Sequence, residues 1–263
     1  VNEYRFVALG DSFTEGVGDP GPDGTFRGWA DRLAELLADT RGPLSYANLA
    51  IRGLTTREIL ESQLKPAVAL QPDLVTVVTG MNDLIRPKLK IREIVADLDT
   101  LVGSLTATGA QVVTATLPTP AQGTPLPTPL RRELVKRLNL WNAFTRRIAI
   151  VHGALCLDLA MMMPPGIAGW SEDRLHPGPD GHRAAAEACL GLLNGAPPGR
   201  LAVAAIVGAI DTLPTLAEQV RWARQFLVPW MKRRVRRETS STGVVAKLPS
   251  YQVLISQPSA DRS

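Results

Sequence analysis

Cysteine is scarce in this chain. Only Cys156 and Cys189 occur, without CxxC spacing, which excludes a disulfide scaffold or thiolate metal site and leaves two buried thiols as the expectation. The three histidines make no HExxH and no cluster with Asp, so no metal site is read. Long hydrophobic runs are missing too. The longest nearly apolar stretch, Leu201–Ile210, falls short of the ~20 residues of a spanning helix. The opening VNEYR leads into an apolar stretch too short for a signal peptide, so the expected location is cytoplasmic. The loop GDSFTEGVG lacks the Lys-Ser/Thr of a phosphate loop, carries Asp11 and Glu15, which repel phosphate, and does not fit GxGxxG. No cofactor is implied, and no internal repeat is present.

The remaining composition is that of a soluble globular protein, 45% hydrophobic and 21% charged, in a chain long enough to bury a sizeable core. The net charge of +4 is uneven: residues 200–263 hold ten Lys/Arg and four Asp/Glu, whereas the first 199 residues are slightly acidic. No nucleic-acid-binding motif accompanies this basic end, and no nucleic-acid partner is expected.

Short apolar segments alternate with amphipathic ones. Strands are expected at 5–9, 45–50, 73–79, 110–117 and 154–159, and helices at 28–39, 55–69, 91–108, 130–151 and 179–193. The proline-rich stretch 118–129 must be a loop. Repeated βα units imply a parallel sheet covered on both faces, with the site at the carboxyl ends of the strands. The segment NGAPPGR (194–200) marks a boundary. The expected organisation is a domain over 1–195, a helical extension over 196–237 and a loosely ordered tail over 238–263.

Four polar stretches carry chemistry. FVALGDSFTEG puts Ser12 directly after the first strand. EDRLHPGPDGH puts Asp173 three residues before His176, a spacing at which a carboxylate can orient an imidazole. Gly178 and Pro179 then suit a helix N-cap and first position. VVTGMNDL places Asn82 past the third strand, as an oxyanion donor or, on a plainer reading, in a βα turn where Asn82 or Asp83 caps a helix. NLAIRGLTT offers the backbone N–H of Gly53, or merely a turn. Together they provide a nucleophile, a base, an orienting acid and oxyanion donors, the parts of an acyl-transfer site. Asp11 is expected to hold its loop by hydrogen bonds, Asp158 is a reserve for the orienting acid, and His152 and His182 are expected at the surface.

GDS, NxxxxG, GxND and DxxH, in this order over roughly residues 5–193, resemble the SGNH hydrolases, also called GDSL esterases/lipases. The resemblance implies a flavodoxin-like three-layer α/β/α sandwich. It implies Ser12 as nucleophile, His176 as base, Asp173 as its partner, and an oxyanion hole from the Ser12 N–H, the Gly53 N–H and the Asn82 side chain. It further implies hydrolysis of a carboxylic ester through an acyl-serine, with no cofactor and no metal. Thioesters and lysophospholipids are alternative substrates within the family, and Phe13 replaces the leucine of the family name. A non-catalytic module on the same fold would have lost one of these groups; none is lost. The loop 118–129 and the stretch 161–170 are expected to shape the acyl pocket.

In the extension, Leu213, Leu216, Val220, Ala223, Leu227 and Trp230 step by three and four along one helix face, widened by Trp222 and Phe226. Pro229 predicts a break near 225–229. This stripe either packs on the chain's own domain or, with the arginines beyond it, makes peripheral contact with an anionic membrane through residues 213–237.

Overall fold

The computed structural model describes residues 3–21, 24–119, 124, 126–162, 169–196, 215–229 and 243–255. The elements, in chain order, are β1 (Tyr4–Gly10), α1 (Ser12–Glu15), α2 (Gly28–Arg41), β2 (Leu44–Asn48), α3 (Thr56–Ala69), β3 (Leu74–Val78), α4 (Met81–Leu84), α5 (Ile91–Thr106), β4 (Gln111–Ala115), α6 (Thr128–His152), β5 (Leu155–Leu157), α7 (Leu159–Met162), α8 (Pro179–Leu193), α9 (Leu216–Trp222), a π-helical continuation (Ala223–Leu227) and β6 (Leu248–Leu254).

The central strands are mostly apolar because both faces of the sheet are covered. Phe6, Val7, Leu9, Leu74, Val75 and Val77 are fully buried. The sheet order is β5-β4-β3-β1-β2-β6, with β1 to β5 parallel. The parallel part has flavodoxin-like order, with its switch point between β1 and β3. Right-handed crossovers put α2 on one face and α3, α5 and α6 on the other. Accordingly α2 packs on α8, and α5 on α3 and α6. Trp29 and Leu33 of α2, Leu98 and Leu101 of α5, and Trp141 of α6 fill the two layers. Truncating one of these leucines to alanine costs about 2–5 kcal/mol.

The register levels the carboxyl ends of three strands: Gly10 lies opposite Val78, and Ala8 opposite Asn48. The loops after β1, β2 and β3 therefore leave from one rim.

Two expectations change. The segment 238–263 is not loose throughout, since Leu248–Leu254 forms β6, antiparallel on β2. Pro249 in that strand is tolerated because the strand lies at the sheet edge. Of the helical extension expected over 196–237, the described helical part covers 216–229. Thr215 caps it: its hydroxyl accepts from Glu218 N (3.3 Å), and Glu218 Oε2 accepts from Thr215 N (2.7 Å). The expected break appears as a widening, in which Val228 N–H donates five residues back to Ala223 O. The cause is Pro229, which has no N–H to continue the ordinary ladder. Leu213, the side chain of Leu227, and Trp230 lie outside the described residues.

Cys189 is buried and Cys156 partly so; burial pushes their thiols up to about 12 and about 11. Among the described residues, no helix is long and apolar enough to cross a membrane, and no cluster of His, Cys, Asp and Glu could hold a metal ion.

Candidate active site

β1 ends at Gly10, with φ of 152° and a position where a Cβ would lie 2.6 Å from the Val78 carbonyl oxygen. The chain therefore turns where only glycine fits. Gln63 holds both polar groups of this peptide, accepting from Gly10 N (2.9 Å) and donating to Gly10 O (2.9 Å). Asp11 then caps α1, its carboxylate accepting from Phe13 N at 3.2 Å. Ser12 is the first residue of that helix, where a backbone N–H has no intrahelical partner.

The other rim loops are tied to α1. Glu15, buried at the end of α1, accepts from the Arg52 backbone N (2.7 Å) and from its guanidinium Nε (3.0 Å). Asn48 donates to Thr14 O at 3.1 Å. These bonds fix the segment carrying Gly53, whose φ is 83°. Asp83 accepts from Thr56 N (2.9 Å) and Thr56 Oγ1 (3.0 Å), joining α4 to the start of α3. The N-cap of α4 is Gly80, so neither Asn82 nor Asp83 caps it. Both Asn82 amide hydrogens are engaged, donating to Asp11 Oδ2 (3.1 Å) and Leu54 O (3.0 Å). Asp11 thus holds the loop as expected. Burial, only partly offset by these bonds, pushes its carboxyl up to about 6.

The second half of the site is the turn Ser171–His176. His176 Nδ1 donates to Asp173 Oδ2 at 2.6 Å, and His176 Nε2 accepts from Ser12 Oγ at 2.8 Å. Asp173 Oδ1 also accepts from Ser171 Oγ (2.6 Å), Leu175 N (2.9 Å) and His176 N (2.9 Å). Burial opposes the charge on Asp173, but the hydrogen bonds from the His176 ring, Ser171 and the His176 backbone hold that carboxyl well below the usual range. An ionised Asp173 fixes the tautomer with the proton on Nδ1, leaving Nε2 free to take a proton from the serine. The turn docks closely on the first loop: a Cβ on Gly18 would lie 2.1 Å from Pro177 O, and Gly18 itself has φ of 102°. Gly178 and Pro179 open α8 as the sequence predicts.

The remaining candidates fall elsewhere. Asp158 accepts from Thr116 Oγ1 (2.8 Å) and Arg146 (2.9 Å), a structural pairing apart from His176. His152 ends α6 and pairs with Asp99 at 2.9 Å. His182 is not at the surface. It is fully buried, accepts from Trp29 N at Nδ1 (3.1 Å), donates from Nε2 to Val17 O (3.1 Å) and stacks on Phe13. Burial pushes it down to about 4, so it stays neutral. Its signal was available in the sequence: His182 precedes Ala185, Ala186 and Cys189 by three, four and seven, the buried stripe of α8.

Sequence reasoning missed Glu15, Arg52, Gln63 and two residues of the C-terminal part. Trp222 Nε1 donates to Asp173 O at 2.9 Å. Lys247 Nζ donates to Glu15 O (2.8 Å) and Phe26 O (2.8 Å) and pairs with Asp31.

Residues 8–184 match the family model described as GDSL-like lipase/acylhydrolase. The chain belongs to that family. Solved structures similar to this GDSL hydrolase include an acetylxylan esterase from Geobacillus stearothermophilus, at 23% identity and TM-score 0.58, covering 72% of this chain and 94% of that one. The lipase/acylhydrolase of Enterococcus faecalis is similar at 22% identity and TM-score 0.57, covering 73% and 96% of the two chains. A hydrolase from the metagenome of Lake Arreo, Spain, is similar at 24% identity and TM-score 0.56, covering 73% and 97%. At such identities the likeness is one of fold. No curated protein matches the GDSL hydrolase in sequence.

Proposed function

We propose that the chain is a serine esterase that hydrolyses carboxylic esters through an acyl-serine. The reading rests on one observation, the continuous relay from Asp173 through His176 to Ser12 Oγ, with bonds of 2.6 and 2.8 Å. Ser12 attacks the ester carbonyl as His176 Nε2 takes its proton, and the resulting imidazolium faces the ionised Asp173. The oxyanion is received by the N–H groups of Ser12 and Gly53 and by the Asn82 amide, where it competes with Asp11 for a hydrogen. His176 protonates the departing alcohol, then deprotonates the water that releases the acid.

The substrate class is an acyl or acetyl ester; a thioester or lysophospholipid would follow the same steps. A fluorophosphonate should label Ser12, and a panel of esters of graded chain length should be turned over by wild type and not by Ser12→Ala. Labelling of a different serine would overturn the assignment.

A peripheral contact with anionic membranes through residues 213–237 is a second proposal. It rests on Leu216 and Val220, exposed beside the exposed Arg221 and Arg224. Sedimentation with anionic vesicles at low and high salt tests it. No binding at low salt would exclude it.

A further inference from the structure

The turn that aims Asp173 at His176 contains Arg174 at φ of 56°, a left-handed conformation that a side chain with a Cβ rarely adopts. A strained residue of this kind persists only where its surroundings over-determine it. Here the two carbonyls flanking it are gripped from outside the turn. Trp222 Nε1 donates to Asp173 O at 2.9 Å, and Thr124 Oγ1 donates to Arg174 O at 3.2 Å. Within the turn, Arg174 N donates to Ser171 O at 2.9 Å.

Trp222 stands apart in its own helix. Leu216 and Val220 are 77% and 45% exposed, whereas Trp222 is 4% exposed. It is the one buried side chain among the described residues of 215–229. Burial alone does not supply an indole with an acceptor, since the Nε1 atoms of Trp29 and Trp141 are buried without one. The Trp222 N–H meets the backbone of the very residue whose carboxylate orients His176.

We infer that Trp222 is a positioning residue for the hydrolysis proposed above: its indole N–H holds the 173–174 peptide in the left-handed turn, and so keeps the Asp173 carboxylate on His176 Nδ1. The inference rests on that functional reading. It assigns the C-terminal helix a part in the reaction that lies outside the family-matched residues 8–184.

The test uses the full chain. Trp222→Phe keeps the ring and its burial but removes the donor. Its kcat should fall about tenfold, the order expected for one lost hydrogen bond, with KM within about twofold. The rate of Ser12 phosphonylation should fall in parallel. In an Arg174→Gly background, where glycine takes the left-handed conformation without strain, the same substitution should cost less than about twofold. Wild-type kcat in Trp222→Phe, or a loss of equal size in both backgrounds, would overturn the inference. A readout free of substrate separates this from the functional reading. The far-downfield proton resonance of His176 Nδ1 should be sharp in wild type and broadened in Trp222→Phe, whatever the ester panel gives. Ester turnover that survives Ser12→Ala would sink the acyl-serine reading, whereas the Nδ1 resonance still reports whether Trp222 holds Asp173 on His176. An unchanged Nδ1 resonance would sink the positioning role alone.

Discussion

The two halves of the candidate site are built differently. Ser12 sits among rim loops that cross-link one another through buried and half-buried side chains: Gln63 on Gly10, Glu15 on Arg52, Asn48 on Thr14, Asn82 on Asp11. Most of these partners lie within the first three βα units, and the bonds of Gln63 and Asn48 are fully buried. The turn carrying Asp173 and His176 has no such lattice. It lies in the connection between α7 and α8, held by its own Asp173 bonds and by groups arriving from far along the chain, Thr124 and Trp222. Ser12 is part of the sheet's rim, while the Asp173–His176 pair is suspended over it. Damage to the first half should therefore remove chemistry at a fixed geometry. Damage to the second should also loosen the aim.

Four substitutions sharpen that contrast. Ser12→Ala should have the largest effect, a loss in kcat on the order of 10⁶ with the melting temperature nearly unchanged, read by steady-state kinetics and calorimetry. A folded variant that retains a substantial part of the activity would remove Ser12 from the mechanism. Asp173→Asn comes next, at about 10⁴ in kcat, because an amide no longer fixes the His176 tautomer. The neutral amide would also accept less well from Ser171, Leu175 and His176, so this variant should show faster amide exchange across 171–176. Unchanged exchange would place the two halves on an equal footing. Asn82→Ala should lower kcat by about 10²–10³ with a smaller change in KM. A near-normal kcat would mean that the amide serves only Asp11 and Leu54.

The smallest expected effect is on stability. His182 has a folded value depressed to about 4, so its unfolded form binds a proton that the folded form refuses. Its contribution is complete above the unfolded value of ~6.5 and is lost as pH falls toward 4. Wild type also contains Asp11 and Asp31, both raised to about 6 by burial, whose contributions run the opposite way. The clean measure is the difference between wild type and His182→Gln. The stability advantage of wild type should shrink by about 3 kcal/mol between pH 7 and pH 4 in denaturant titrations. A pH-independent difference would show that the imidazole is not held neutral.

The parallel part of the sheet was legible from local composition: DLVTVVT is short, apolar and β-branched, as a buried strand requires, and β3 occupies Leu74–Val78 within it. The helices were legible from periodicity and punctuation, as with Gly178 and Pro179 at the start of α8. The candidate site residues were legible as four motifs, but not the bonds that hold them. Glu15 and Arg52 lie 37 residues apart, and their pairing exists only once β1 and β2 stand side by side. β6 escaped notice for the same reason. LPSYQVL carries a proline and exposes most of its residues, so nothing local marks it as a strand until β2 supplies the ladder. The burial of His182 was legible from its place on the apolar stripe of α8, but its two hydrogen-bond partners were not, since they arrive only when α2 and the first loop pack against that helix.

β6 bears on how the protein is assembled in time. It pairs with a strand that lies some two hundred positions earlier, Leu254 standing opposite Leu44, and it delivers Lys247 to Glu15 O at the end of the helix that begins with Ser12. Contacts of such high sequence separation form late, because the entropy of closing a long loop must be met before the ladder compensates for it. The five parallel strands can condense through short crossovers without it. During refolding, the burial of Trp29 and Trp141 should accordingly precede the docking of β6, and ester turnover should return with the slower phase.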